Sequence, residues 1–183
     1  MRHTRWLSPW KDSAERPAIY HCVSRVVGRE FLFGDLEREK FRTFMRMQEN
    51  FTGCRVLAYC VMSNHFHILL EVPPMPFLPD SEERGLADAE LIRRLSFIHS
   101  EVSVADDARE LAEARNAGNL AHVQEIHDRH LYRMHDLSEF MKTLLQRFSR
   151  WFNGRKKRKG HLWEERFTSV IVESGTAARA IAA

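Results

Sequence analysis

The chain has 183 residues, 44% of them hydrophobic, and a formal net charge of +3 at pH 7. This length suits one domain with a sizeable core, and no run approaches the roughly 18 apolar residues of a membrane span. The N-terminal segment mixes charged residues with Trp and Pro and has no apolar signal core, so we expect a cytoplasmic protein without a membrane partner. The 3 cysteines form no Cys-x-x-Cys pair, which favours buried thiols over a disulfide framework or a zinc site.

Charge is distributed unevenly along the sequence. Residues 80–139 hold 7 Lys and Arg against 14 Asp and Glu, whereas residues 140–169 hold 9 against 2. The low overall charge therefore conceals a basic segment. Such a segment indicates a polyanionic partner for one face of the protein, although charge carries no information about fold.

The first half of the chain predicts a strand, a helix and a hairpin. Residues 18–27 are β-branched and aromatic with partial alternation, which is typical of a strand. Between Asp35, placed as an N-cap, and Gly53, placed as a stop, apolar residues recur at helical spacing. Residues 54–62 and 65–72 are two apolar strands separated by Ser-Asn, which predicts a tight hairpin. A proline-rich segment then ends the second strand.

The next segment, about residues 75–136, differs in composition and predicts a helical insertion. It is acidic and rich in Ala, Glu and Arg, and its helical stretches lie near 87–102, 105–117 and 120–134. After it, residues 138–153 carry apolar side chains at helical spacing, with Gly154 as the predicted stop. Residues 166–174 have the composition of a last strand, and the final nine residues, "GTAARAIAA", predict the start of a helix.

Without the insertion, the order is strand, helix, strand, strand, helix, strand. This order predicts an α+β fold of the ferredoxin-like, split βαβ type, with an antiparallel sheet and helices on one face. We therefore expect residues 1–183 to form a single domain that carries the helical insertion.

The predicted strand 65–72 begins with two histidines around one phenylalanine. His65 and His67 share a face because side chains two apart on a strand point the same way. Two imidazoles presented like this can hold one divalent ion. With 10 histidines in 183 residues, however, a His-x-His pair also arises readily by chance. The residues alone leave both a metal site and two ordinary strand histidines open.

Five consecutive cations, Arg155–Lys159, follow the predicted helix 138–153. Basic loops with aromatic neighbours suit single-stranded nucleic acids, since cations track phosphates and rings stack on bases. A solvated loop is the alternative. Of the nearby aromatic residues, Trp151 and Phe152 have the helical phase of core residues, and Trp163 stays open between stacking and packing. The candidate nucleic-acid-binding residues are Arg150, Arg155, Lys156, Lys157, Arg158, Lys159 and Arg166.

Three segments together resemble one family: "AIYHCVSRVVGREFLF", "YCVMSNHFHILLEV" and "FSRWFNGRKKRKGHLWEERFTSVIVES". They are similar to the single-tyrosine HUH transposases, especially the REP-associated tyrosine transposase branch, over residues 17–72 and 137–183. The resemblance implies binding, cleavage and rejoining of single-stranded or hairpin DNA through a covalent phosphotyrosine. It also implies that His65 and His67 are catalytic and hold Mg²⁺ or Mn²⁺ against the scissile phosphate, which the metal would polarise and orient.

The sequence departs from this family at the nucleophile. Members carry the tyrosine on a helix after the last strand, with an Asn or Gln four residues later as third metal ligand. Here the corresponding helix would be "TAARAIAA", and none of Tyr20, Tyr59 and Tyr132 matches the family position. We therefore expect the chain to lack the nucleophile, either as a fragment truncated in the catalytic helix or as a natural non-cleaving form.

Three functions thus stay open from sequence. The first is a DNA transposase or endonuclease, the second a nucleic-acid-binding protein that does not cleave, and the third an unrelated metal-dependent hydrolase built on His65 and His67. The sequence leaves its status as an enzyme undecided. The oligomeric state is open as well, because some relatives share a helix within a homodimer and others are monomeric.

Overall fold

The computed structural model describes residues 8–9, 15–78 and 85–172, so the helix predicted from residue 175 lies outside the described residues. The elements in chain order are β1 (Ala18–Arg25), a 3-10 turn (Val27–Arg29), α1 (Asp35–Thr52), β2 (Arg55–Val61), β3 (His65–Val72), α2 (Asp88–Leu95), α3 (Glu101–Asn116), α4 (Leu120–Leu131), α5 (Leu137–Arg155) and β4 (Thr168–Ile171).

The strands form one four-stranded sheet in the order β2-β3-β1-β4. Every neighbouring pair is antiparallel, which confirms the predicted α+β class and the ferredoxin-like order. The β2–β3 hairpin closes over Ser63 and Asn64, because the Met62 N–H donates to the His65 carbonyl at 2.8 Å. Strands β1 and β3 occupy the centre of the sheet.

One face of the sheet packs against α1 and α5. Alternate residues of β1 and β3 point to this face and are buried, as the two-residue period of a strand requires. Burying a large apolar side chain stabilises a fold by about 1.5–3 kcal/mol. The main core residues are Ala18, Tyr20, Cys22, Phe41, Met45, Phe66, Ile68, Leu70, Phe140, Leu144, Phe148 and Phe152.

Helix α1 ends at Gly53, as the sequence predicts, and only glycine suits this position. Its φ is +76°, in the left-handed region that side chains with a Cβ rarely adopt. A Cβ here would also lie 2.7 Å from Nε2 of His135. The chain turns sharply from α1 into β2 because of this residue.

The insertion contains the three predicted helices, but the first boundary is wrong. The predicted helix 87–102 is broken, because α2 ends at Leu95 and Ser100 caps a new helix by accepting the Ser103 N–H at 3.3 Å. Helix α2 packs on Phe51 at the end of α1. Helices α3 and α4 form a small apolar cluster of their own.

The predicted stop at Gly154 is also wrong, by two residues. Helix α5 continues to Arg155, because Lys156 still donates its N–H to the Phe152 carbonyl at 2.9 Å. The basic segment therefore begins on the last helical turn, and only its remainder is a loop. Among the described residues, no helix is both long and apolar enough to cross a membrane.

Candidate metal and nucleic-acid site

His65 and His67 lie on the central strand β3, on the face of the sheet opposite α1 and α5. The alternate residues Phe66 and Ile68 are 0% exposed in the helical core, so both imidazoles point to the other face. Their ring centroids are 5.2 Å apart and the ring planes meet at 74°. Two imidazoles that share one divalent ion at about 2.1 Å have centroids roughly 5 Å apart. The pair therefore fits a shared ion.

Asn64 fixes the orientation of His65. The Asn64 amide nitrogen donates to the Arg29 carbonyl at 3.1 Å, so its oxygen faces His65 Nδ1, 2.7 Å away. Because an amide oxygen only accepts, Nδ1 of His65 carries the hydrogen and Nε2 carries the free lone pair. This arrangement presents Nε2 of His65 for coordination, with its outer partner already in place.

His21 on β1 is a site residue that the sequence analysis missed. Its Nε2 lies 2.9 Å from Nδ1 of His67, and the two rings are tilted by only 14°. That separation is shorter than the roughly 3.5–4.0 Å of atoms in van der Waals contact, so the contact is a hydrogen bond. The alternation of "HCVSR" would have placed His21 and Arg25 on one face, but only the β1–β3 register brings them to the histidine pair.

The described residues bring together two candidate metal ligands, His65 and His67. His21 is directed at Nδ1 of His67, and within residues 8–9, 15–78 and 85–172 no group of three or more His, Cys, Asp or Glu side chains could hold an ion. Burial lowers the pKa of His67, with further lowering by His21, His65 and Arg25. A neutral imidazole is the form that binds metal.

A small pocket adjoins His65 at the end of the sheet. It has a volume of about 150 Å³ and is lined by Arg25, Arg29, Asn64 and His65. Arg25 lies opposite His65 in the β1–β3 register. Neither arginine could be assigned to the site from sequence, because both come close to the histidines only through strand pairing.

The three cysteines divide into two kinds. Cys22 and Cys54 are buried, as predicted, and burial raises the pKa of the Cys54 thiol to about 12. The prediction is wrong for Cys60, which is exposed on the edge strand β2 directly opposite His67. Cys60 is therefore a solvent-exposed thiol that can be labelled chemically beside the histidine pair.

The predicted basic segment lies at the same end of the sheet as His65. Lys156 forms an ion pair of 3.0 Å with Glu37 in the first turn of α1. Downstream of the loop, the Val27 N–H donates to the Leu162 carbonyl and the Glu164 N–H to the Arg25 carbonyl, both at 2.9 Å. The loop is thus held against the segment that carries Arg25.

The seven predicted nucleic-acid-binding residues differ in exposure. Arg158 is partly buried, and Lys156 is engaged with the buried carboxylate of Glu37 although its own side chain is exposed. Glu37 has a lowered pKa: burial raises it, and Lys156 together with backbone N–H groups more than offsets that effect. The remaining exposed residues are Arg150, Arg155, Lys157, Lys159 and Arg166.

The aromatic residues near the loop belong to the core. Phe152 is 2% exposed, and Trp151 packs on Phe148. The Trp163 indole donates to the Leu145 carbonyl at 3.2 Å and its ring packs edge-on against Phe66. The open question about Trp163 is therefore answered in favour of packing.

None of the three tyrosines shares the face of His65 and His67. Tyr20 is 2% exposed in the helical core. Tyr59 lies opposite Ile68 in the sheet, and so points to the helical side, where its ring packs under Arg46. Tyr132 is the C-cap residue of α4 in the insertion, and the insertion packs against the C-terminal end of α1.

Comparison with known proteins finds a family model that includes the strand of His65 and His67. Residues 16–78, less than half of the chain, match the family model described as IS200-like transposase. Among curated proteins, no sequence matches. A crystal structure of a proposed transposase from Deinococcus radiodurans R1 has a TM-score of 0.42 and 13% identity, covering 99% of this chain and 93% of that chain. The family match contains β1, β2 and β3, and it does not distinguish the REP-associated branch.

Proposed function

We propose that this chain is a transposase-type domain that binds single-stranded DNA at the His65 end of the sheet. In this proposal His65 and His67 hold Mg²⁺ or Mn²⁺. The observation that carries it is the pair of imidazoles on the central strand β3, with ring centroids 5.2 Å apart. A basic segment lies beside them, held by hydrogen bonds at the same end of the sheet. The family match over residues 16–78 supports it.

The chain's own residues would bind and orient the DNA. The exposed cations of the loop would track the phosphates, and the imidazole Nε2 atoms would hold the ion. When bound, a divalent ion polarises a phosphate and orients it for in-line attack. Asn64 holds His65 in the tautomer that this role needs.

A binding protein that does not cleave is the second candidate function. It is favoured by one observation: Tyr20 and Tyr59 lie on the helical side of the sheet and Tyr132 lies in the insertion. In these positions no tyrosine can attack a phosphate held at His65. The test is a labelled oligonucleotide incubated with the protein and Mn²⁺, then separated on a denaturing gel. We expect no covalent band, and a band would direct the search for a nucleophile to Tyr132.

The binding function is tested by titrating Mn²⁺ and a single-stranded oligonucleotide separately. Replacing His65 and His67 by alanine should abolish Mn²⁺ binding, whereas His161→Ala on the exposed segment after the loop should leave it intact. Equal Mn²⁺ affinity in both variants would contradict the metal site. DNA that binds at the His65 end of the sheet should also slow alkylation of Cys60. Denatured protein, in which all three thiols react, serves as the control.

A further inference from the structure

The pocket beside His65 gives the proposed function a specific phosphate-binding element. We propose that Arg25 and Arg29 together hold the DNA phosphate that lies next to the metal ligands. This inference rests on the proposed function, because it assigns the ligand of the same site. The volume of about 150 Å³ and the lining by two arginines suit one phosphate group.

The first argument is the placement of Arg25. It is the last residue of β1 and pairs with His65 across the sheet, so its exposed side chain begins on the same face as the two imidazoles. A phosphate bound by this guanidinium would lie within reach of an ion on His65 and His67.

The second argument is the backbone of Arg29. Its φ is +56°, in the left-handed region, directly after Gly28 at +67°. Arginine is disfavoured in this conformation, and such outliers persist where the surroundings hold them. Here the Arg29 N–H donates to the Val26 carbonyl at 3.1 Å and its carbonyl accepts from Asn64 at 3.1 Å. Asn64 therefore positions both Arg29 and His65.

Arg25 and Arg29 also differ from the arginines of helices α1 to α4. Every arginine on α1, α2, α3 and α4 has a carboxylate partner: Arg38, Arg42, Arg46, Arg93, Arg94, Arg109, Arg115 and Arg129. Within the described part of the chain, neither Arg25 nor Arg29 has a carboxylate oxygen within 4.0 Å of its guanidinium. Two exposed guanidinium groups without an internal anion, on one small pocket, are suited to an external one.

The test compares single-stranded DNA binding across a salt series for matched variants. Arg29→Gly is compatible with the left-handed backbone and removes the whole side chain, and it is combined with Arg25→Gln. We expect weaker binding and a slope of log K against log salt that is flatter by about 0.7, the value for one lost phosphate contact on a single strand. Arg109→Gln, an exposed arginine of α3, is the control and should bind like the parent chain.

Two further measurements keep the outcomes distinct. Mn²⁺ affinity of the double variant should not fall below that of the parent, because both imidazoles and Asn64 are unchanged and a positive charge close to His67 is removed. If Arg29→Gly does not fold, Arg29→Asn replaces it, since asparagine also tolerates a positive φ. An unchanged salt slope in a folded variant of a chain that binds DNA would overturn the pocket alone. A parent chain that binds neither Mn²⁺ nor the oligonucleotide would overturn the proposed function and the pocket together.

Discussion

Replacing His21 by leucine tests whether His67, the second proposed metal ligand, is held in place from β1. The imidazole of His67 has one hydrogen-bond partner on its Nδ1 side, Nε2 of His21 at 2.9 Å. If His67 donates this bond, its Nε2 lone pair is free for the ion. Leucine fills a similar volume but cannot accept, so His67 would lose both its fixed tautomer and its fixed ring orientation.

The expected size of the effect follows from this bond. A neutral hydrogen bond contributes a net of about 0.5–1.5 kcal/mol, and the bond between His21 and His67 is only partly buried. Every 1.4 kcal/mol corresponds to tenfold in affinity. We therefore expect His21→Leu to weaken Mn²⁺ binding by about three- to tenfold, which reaches only the lower limit of the roughly 10–100-fold typical of such outer partners.

Calorimetric titration with Mn²⁺ measures the affinity, and nitrogen-15 NMR of the metal-free protein reports the tautomer. In the parent chain we expect the hydrogen of His67 on Nδ1. His21→Gln places an amide oxygen near the original Nε2 position and should recover most of the affinity, while His161→Ala should have no effect. A His67 hydrogen on Nε2, or unchanged Mn²⁺ affinity in His21→Leu, would refute the positioning role.

Three other predictions concern the loop, α1 and α2. The basic segment has three exposed cations for which the described residues supply no carboxylate partner: Arg155, Lys157 and Lys159. Neutralising all three should flatten the salt slope by about 2, and a slope equal to the parent's would place the DNA elsewhere. Gly53→Ala should lower the free energy of unfolding by at least about 1–2 kcal/mol, because φ at this position is positive. Gly154→Ala, in open space on α5, should instead raise the free energy of unfolding by about 0.5–1 kcal/mol. Urea unfolding that ranks the two variants in the opposite order would contradict this account. Hydrogen bonds from Arg93 and then Arg94 lower the pKa of Glu90 to about 2, so the contribution of Glu90 to stability is present above about pH 4.5 and is lost as pH falls through about 2. Glu90→Gln should therefore destabilise the protein at pH 7 and not near pH 2. A difference in urea midpoint that does not depend on pH would argue against the ion pairs of Glu90 with the two arginines.

The parts of the site that depend on local sequence could be predicted. The two-residue turn before His65 and the strand period of two place both imidazoles on one face, whatever the rest of the fold does. The parts that depend on pairing between distant segments could not. His21 meets His67 only because β1 and β3 pair in one particular register, and a shift by one residue would turn His21 to the helical face.

The basic segment also combines a feature that is evident from local sequence with one that depends on contact between distant segments. Its charge is evident from the sequence, but the separate role of Lys156 is not. The carboxylate of Glu37 is buried and accepts the Gly34 N–H at the start of α1. A buried carboxylate needs a compensating charge, and Lys156 supplies it only because α5 ends beside the beginning of α1.

This arrangement explains why the overall charge of +3 is a poor guide to binding. Helix α1 begins near the hairpin turn, where the Phe33 N–H donates to the Ser63 carbonyl at 2.9 Å, and it ends at Gly53 beside the insertion. Its 18 residues span about 27 Å at 1.5 Å per residue, which is several times the screening length of about 8 Å at physiological salt. If DNA binds as proposed, the acidic insertion would therefore repel it only weakly at the site itself and would disfavour its approach at the opposite end. The two opposite charges act on different parts of a strand, and together they would orient it toward His65 and His67.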